Sequence, residues 1–201
     1  VESGLRSNDR SMPEEINRIA TDHISDILFT TEHSANENLR NEGISGKKIH
    51  FVGNCMIDSL IKFKSLAKNK APWEKYGFKG KDYILVTLHR PSNVDDKYDL
   101  EKFINIMNEI SKNLSILFPA HPRTMKNIID FGIDLSDSVK MINPLPYIEF
   151  LGLLSNARIV LTDSGGIQEE TTMLKIPCVT LRNNTERPIT VEKGTNILAG
   201  T

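Results

Sequence analysis

An α/β fold, with parallel strands wrapped by helices, is what this sequence predicts, and three observations carry the prediction. Short apolar runs rich in β-branched residues recur along the chain, amphipathic stretches of matching length separate them, and the double-glycine motif at 165–166 sits where such a run gives way to a helix. The runs predict strands at 26–30, 48–52, 83–88, 115–119, 139–142, 158–162 and 177–181. Pro13 followed by Glu14 and Glu15 marks a helix start, because proline at the first helical position gives up no hydrogen bond. The stretch 98–112 puts Leu100, Phe103, Ile104, Met107 and Ile110 on one face, with Asp99 in the first turn where the helix dipole favours a negative charge. Residues 68–82 are rich in lysine, glycine and aromatics and keep no period, which reads as a linker or edge loop between two α/β units, tacked to a surface by Trp73, Tyr76 and Phe78.

Composition excludes several classes of function. The 201 residues make one domain or two small ones. Lys plus Arg number 25 against 26 Asp plus Glu, for a net charge of -1, so there is no excess positive charge to grip nucleic acid. The apolar runs fall far short of the ~20 residues of a membrane helix. Cys55 and Cys178 lie far apart with no CxxC, which argues for reduced thiols in a cytoplasmic protein. There is no initiator Met or signal peptide; residues 1–4 begin as if a strand had been cut at its end, and 196–201 stop just after a strand-like run, so a piece of a longer protein is expected.

Four motifs can carry chemistry. In Asp163-Ser164-Gly165-Gly166-Ile167-Gln168-Glu169-Glu170, two glycines permit a tight turn and close approach of a ligand to backbone N–H groups at the positive end of a helix, which suits a phosphate. Glu170, further along, could then accept from ribose hydroxyls; the alternative is a plain glycine turn before an acidic helical turn. The same DSGG string occurs at the nucleophile of trypsin-like proteases, but those are all-β. Glu2 at a strand end, Arg6 just after it, and Glu14 at a helix start could face one cleft as acid and base, or Glu14 and Glu15 could simply pair with Arg18 on the surface. The strand at 83–88 delivers His89 and Arg90 to its C-terminal edge, where open α/β sheets bind ligands, and His121 recurs at the equivalent place after 115–119. His23, His33 and His50 have no such setting, no histidine pair has metal-ligand spacing, and no metal or cofactor is expected. The loop Asn183-Asn184-Thr185-Glu186-Arg187-Pro188 would hang over the same crevice, or be an ordinary polar turn.

Together these motifs resemble the non-hydrolysing UDP-N-acetylglucosamine 2-epimerase family, over the whole chain: V-E-S-G-L-R for the family's V-E-A-G-L-R, then P-E-E-I-N-R, G-N-C-M-I-D, V-T-L-H-R, H-P-R-T, T-D-S-G-G-I-Q-E-E and T-E-R-P. Ser3 for alanine is the departure within the motifs. A preceding phosphate-binding loop with a further acid, and a C-terminal helix, are family features not found in the chain. The resemblance implies a glycosyltransferase-B fold of two Rossmann-like domains with parallel sheets, residues 1–66 ending an incomplete first domain and 67–201 forming the second. It implies inversion at C2 of UDP-N-acetylglucosamine through elimination of UDP and its re-addition. It assigns proton transfers to Glu2 and Glu14, the departing diphosphate to His89, diphosphate binding to Ser164 and Gly165, ribose to Glu170 and a nucleotide-sugar contact to Arg187. His121 and Arg90 carry over as ligands of a second, regulatory UDP-GlcNAc. The implied partners are this substrate and a second copy in a homodimer, with no nucleic acid and no membrane. The rivals are a hydrolysing 2-epimerase, a glycosyltransferase of the same fold, and a UDP-sugar-binding module without turnover. The 201 residues alone are expected to bind UDP weakly and to epimerise nothing.

Overall fold

The structure, a computed structural model, describes residues 2–10 and 12–200. Val1, where the expected strand end begins, and Thr201 lie outside the described residues. The chain first forms α1 (Pro13–Ile24), β1 (Leu28–Thr30), α2 (His33–Asn41), β2 (Ile49–Phe51) and α3 (Cys55–Asn69). Pro13 starts α1 as expected. β1 and β2 pair in parallel, Phe29 opposite His50. Glu2 lies outside any described strand, with a left-handed backbone (φ 63°). Beside it the Ser3 N–H donates to the Phe29 carbonyl of β1 at 3.0 Å. Arg6 turns away from any cleft and is buried against Asp22 and Glu42 at 2.8 and 2.7 Å.

The second part runs β3 (Ile84–Thr87), α4 (Pro91–Val94), α5 (Lys97–Ser111), β4 (Ile116–Pro119), α6 (Pro122–Asp130), β5 (Val139–Ile142), α7 (Tyr147–Asn156), β6 (Ile159–Thr162), α8 (Gly165–Leu174), β7 (Cys178–Thr180), α9 (Ile189–Glu192) and β8 (Asn196–Leu198). Each of the seven predicted strands is present, the one at 139–142 with the same bounds and the others trimmed by a residue or two, and the C-terminal strand-like run becomes β8. The six strands from β3 onward form one sheet in the order β5-β4-β3-β6-β7-β8, every pair parallel. Successive strands therefore spread one way from β3 and then the other way from β6. That reversal opens a crevice at the strand ends between the two, the place where doubly wound sheets bind ligands.

Alternation along the strands covers both faces of this sheet. Ile84, Val86, Ile116 and Phe118 pack with Leu100, Phe103, Ile104 and Met107 of α5 on one side. Tyr83, Leu85, Leu117 and Val160 pack with Leu153 and Leu154 of α7 on the other. The predicted apolar face of 98–112 is thus the buried face of α5, and the helix starts one residue earlier because the Asp96 carboxylate caps the Tyr98 and Asp99 N–H groups at 2.8 and 3.1 Å. In the segment 68–82, Trp73, Tyr76 and Phe78 do tack the chain down, against the Tyr83 side of the sheet, with the Phe78 and Tyr83 ring centroids 4.8 Å apart. α3 lies against α7 through Leu60, Ala67 and Leu151. Gly152 allows that approach, since a Cβ there would stand 2.6 Å from the Pro72 ring and 2.8 Å from the Ala67 carbonyl.

Candidate functional site

The crevice is built by two neighbouring strand ends. β3 and β6 run in register, Thr87 opposite Thr162, and their hydroxyls share a 2.7 Å hydrogen bond. Beyond that rung, β3 continues to His89 and Arg90 and β6 to Asp163 and Ser164. Asp163 is fully buried. Its Oδ1 lies 2.7 Å from His89 Nδ1. Its Oδ2 accepts from the backbone N–H groups of His89 and Arg90 at 3.0 and 2.9 Å and from the Asn93 side-chain amide at 3.1 Å. Burial alone would raise this acid, but the bond from His89 and the backbone donors outweigh it and hold Asp163 below the usual carboxylate range. His89 is shifted upward in turn, chiefly by its bond to Asp163, against the opposing effect of burial.

Ser164 is the N-cap of α8, and its side chain makes no capping bond, so the positive end of a ten-residue helix begins just past the end of β6. The two glycines serve close approach rather than a turn. A Cβ on Gly165 would fall 2.3 Å from Glu186 Oε1, and one on Gly166 would fall 2.7 Å from the Met56 methyl of α3. Farther along the same helix, Glu170 is buried and accepts from the Tyr147 hydroxyl at 3.1 Å. Burial pushes the Glu170 carboxyl up, with only that one bond opposing it, and the Tyr147 phenol is itself pushed up to about 12 by burial and by the carboxylate beside it.

The loop after β7 closes the crevice. Arg182 and Glu186 are both buried and pair at 2.9 Å, with Arg90 at 4.0 Å from Glu186. Arg187, also buried, reaches Glu2 at 3.3 Å and Glu169 at 3.1 Å, and Glu169 accepts from Asn54 at 2.8 Å. This network ties the N-terminal turn and the start of α3 to α8. Among the described residues, Arg187 Nη1 is one of the buried side-chain donors without a hydrogen-bond partner.

The predicted residues fall into neighbouring groups. Glu14, His89 and Arg90 line one cavity of about 550 Å³ together with Arg182 and Asn183. His89 also lines a smaller cavity of about 180 Å³ with His121, Leu145 and Phe150, so the two strand-end histidines do meet. His121 caps α6, its Nδ1 accepting from the Arg123 N–H at 3.2 Å. A third cavity, of about 560 Å³, lies between α2 and the α8–α9 region and holds none of the predicted residues. The Glu14/Glu15 ambiguity resolves into two fates. Glu15 is buried, pairs with Arg18 at 2.8 Å and accepts from the Ser7 and Asn8 N–H groups, whereas Glu14 is exposed in the crevice. Asp163 and Glu186 stand inside the quoted motifs without being singled out there, and Tyr147 and Arg182 lie outside them; the structure brings all four to this region. Among the described residues no cluster of three His, Cys, Asp or Glu is placed to hold a metal ion, and no helix is long and apolar enough to cross a membrane.

Comparison with known proteins gives the family and the fold. A family model described as UDP-N-acetylglucosamine 2-epimerase matches residues 1–201. A UDP-N-acetylglucosamine 2-epimerase of Methanococcus maripaludis is 47% identical over all of this chain and 57% of its own length. A UDP-2,3-diacetamido-2,3-dideoxy-D-glucuronate 2-epimerase of Pseudomonas aeruginosa is 43% identical over all of this chain and 56% of its own. Among solved structures, the UDP-GlcNAc 2-epimerase of Methanocaldococcus jannaschii, in complex with UDP-GlcNAc and UDP, superposes with a TM-score of 0.91 at 47% identity, covering all of this chain and 57% of that one. The enzyme of Neisseria meningitidis bound to UDP-GlcNAc gives 0.88 at 33% identity, covering all of this chain and 57% of that one. The chain thus spans a little over half the length of the relatives it matches.

Proposed function

The chain belongs to the UDP-N-acetylglucosamine 2-epimerase family, and from that membership we infer that a protein of its relatives' length containing it interconverts UDP-N-acetylglucosamine and UDP-N-acetylmannosamine. The fold is of the glycosyltransferase-B type. We assign residues 1–66 to the end of a first Rossmann-like domain and 67–201 to the second. The observation that carries the inference is the placing, at the β3/β6 reversal, of His89 against Asp163, the residue just before the N-cap of α8. An imidazole held by a buried carboxylate, beside the positive end of a helix, fits a diphosphate leaving group.

The C2 proton of the sugar has no neighbouring carbonyl to acidify it, so direct deprotonation is a poor route. Elimination avoids the difficulty. The C1–O electron pair leaves with UDP, the C2–H pair becomes the C1=C2 bond of a 2-acetamidoglucal, and the proton passes to a carboxylate. Return of UDP to C1 with protonation of the opposite face at C2 gives the epimer. In this reading Glu2 and Glu14 move the protons, a contribution of roughly 10²–10⁴-fold. His89 stabilises departing UDP, Ser164 and Gly165 hold the diphosphate, Glu170 accepts from the ribose and Arg187 contacts the nucleotide sugar. His121 and Arg90 bind a second, regulatory UDP-GlcNAc. The free thiols of Cys55 and Cys178 support a cytoplasmic setting, and we expect a homodimer.

The test is incubation of the full-length protein with UDP-GlcNAc in heavy water, followed by NMR. UDP-N-acetylmannosamine with deuterium at C2 is expected. Free N-acetylmannosamine with stoichiometric UDP would replace the proposal with a hydrolysing enzyme, and turnover only with an added acceptor sugar would make it a transferase. In Glu2→Gln the C2 exchange should vanish while UDP binding stays nearly unchanged; exchange at the wild-type rate would remove Glu2 from its role.

A further inference from the structure

Resting on that reading, we propose that Asp163 is a positioning residue, which fixes the His89 ring through Nδ1 and keeps it a hydrogen-bond donor at both nitrogens, with Nε2 available to the departing diphosphate. The geometry separates two tasks on one carboxylate. Oδ2 takes three neutral donors, the N–H groups of His89 and Arg90 and the Asn93 amide, which lock the turn after β3. Oδ1 faces His89 Nδ1 at 2.7 Å and shares only the His89 backbone N–H with the other oxygen, at a longer 3.3 Å. Because Asp163 is wholly buried while the His89 side chain is 51% exposed, the acid meets little solvent screening and the ring still reaches the crevice. The carboxylate cannot drift, since Asp163 follows directly on the Thr87–Thr162 rung and its own carbonyl accepts from Arg90 Nε at 3.1 Å.

The other charges around His89 do not supply the same service. Arg90 and Arg182 oppose a positive ring, and Glu186 is occupied with Arg182. Glu14 and Asp9 stand across the larger cavity, and His121 across the smaller. The direction of the His89 shift, upward with the Asp163 bond as its largest cause, agrees with that arrangement. A ring held as a donor is useful here because negative charge grows on the diphosphate as the C1–O bond breaks, and a prepositioned donor needs no reorganisation at that moment.

The experiment follows kcat of the full-length enzyme with UDP-GlcNAc against pH, for wild type and Asp163→Asn, alongside the ¹⁵N titration of His89, assigned by the signal lost in His89→Gln. Asn keeps the shape and an acceptor but not the charge. The expected result is an alkaline limb of kcat that moves to lower pH in Asp163→Asn, each unit of movement reading as about tenfold lower kcat on the alkaline side, with the His89 midpoint falling in step. A merely structural aspartate would lower kcat equally at every pH and leave both midpoints in place, which would overturn the proposal. Should Asp163→Asn fail to fold, wild type decides alone. A His89 midpoint above 6.5 with Nδ1 protonated upholds the proposal, and a midpoint at or below 6.5 overturns it. Failure of the epimerase reading looks different, because wild type would then form no UDP-N-acetylmannosamine at any pH while the His89 titration still gives its answer.

Discussion

Two buried acids, one before α8 and one within it, have opposite surroundings. Asp163 gathers four donors and is held below its usual range, whereas Glu170 has one phenol and is pushed above it. Burial works against the charged form at both, so the difference lies in the donors. An acid already saturated by its own chain organises the site, and one left short of donors is open to a ligand that brings hydroxyls.

The largest effect that tests this contrast is on folding. Asp163→Ala orphans the His89, Arg90 and Asn93 donors and should cost about 3 kcal/mol in chemical denaturation, the upper end for one unsatisfied buried group. A loss within a few tenths would mean that water serves those donors equally well. Glu170→Ala should instead leave folding almost intact and weaken UDP by about 2 kcal/mol, with inorganic pyrophosphate hardly affected. If calorimetry on the full-length protein finds both ligands weakened alike, Glu170 is a structural acid after all.

Acid titration sharpens the comparison through its sign. Asp163, lowered from 3.8, contributes stability that is present above that value and fades as pH falls toward its folded value. His89, raised from 6.5, contributes stability that is full below that value and is lost as pH rises through its folded value. Glu170, raised from 4.5, keeps its proton longer in the folded chain, so its ionisation costs stability as pH rises above 4.5. Melting temperatures should therefore show Glu170→Gln more stable than wild type near about pH 7, the gain disappearing near about pH 4, whereas the deficit of Asp163→Asn should be largest at neutral pH. Parallel curves for the two variants would erase the distinction. The smallest expected effect is that of Tyr147→Phe, about 1 kcal/mol or less in UDP affinity, because the ribose contact proposed for Glu170 would remain and only the bond that orients the acid would be lost.

What could be read from the sequence divides along the range of the interactions involved. Strand cores such as 84–87 and 159–162, and the buried face of α5, were legible because a side chain's environment there repeats with the local period. The motif after β6 was legible as a strand-to-helix passage, and His89 as a strand-end group. Asp163 was not singled out, since its partners lie 70 to 74 positions away and meet it only once β3 and β6 become neighbours. Tyr147 reaches Glu170 across 23 positions for the same reason. The helix start expected at 165–166 is present, while the demand for glycine there comes from Glu186 and Met56, both remote in sequence.

Those two glycines carry different amounts of evolutionary freedom. The obstacle to a methyl at 166 is the flexible end of Met56, which can swing aside or be shortened, so alanine at 166 should travel with a smaller residue at 56 when related sequences are compared. The obstacle at 165 is a carboxylate fastened to the buried Arg182. Relief there means giving up that buried ion pair, so position 165 should stay glycine wherever the Arg182–Glu186 pair is kept.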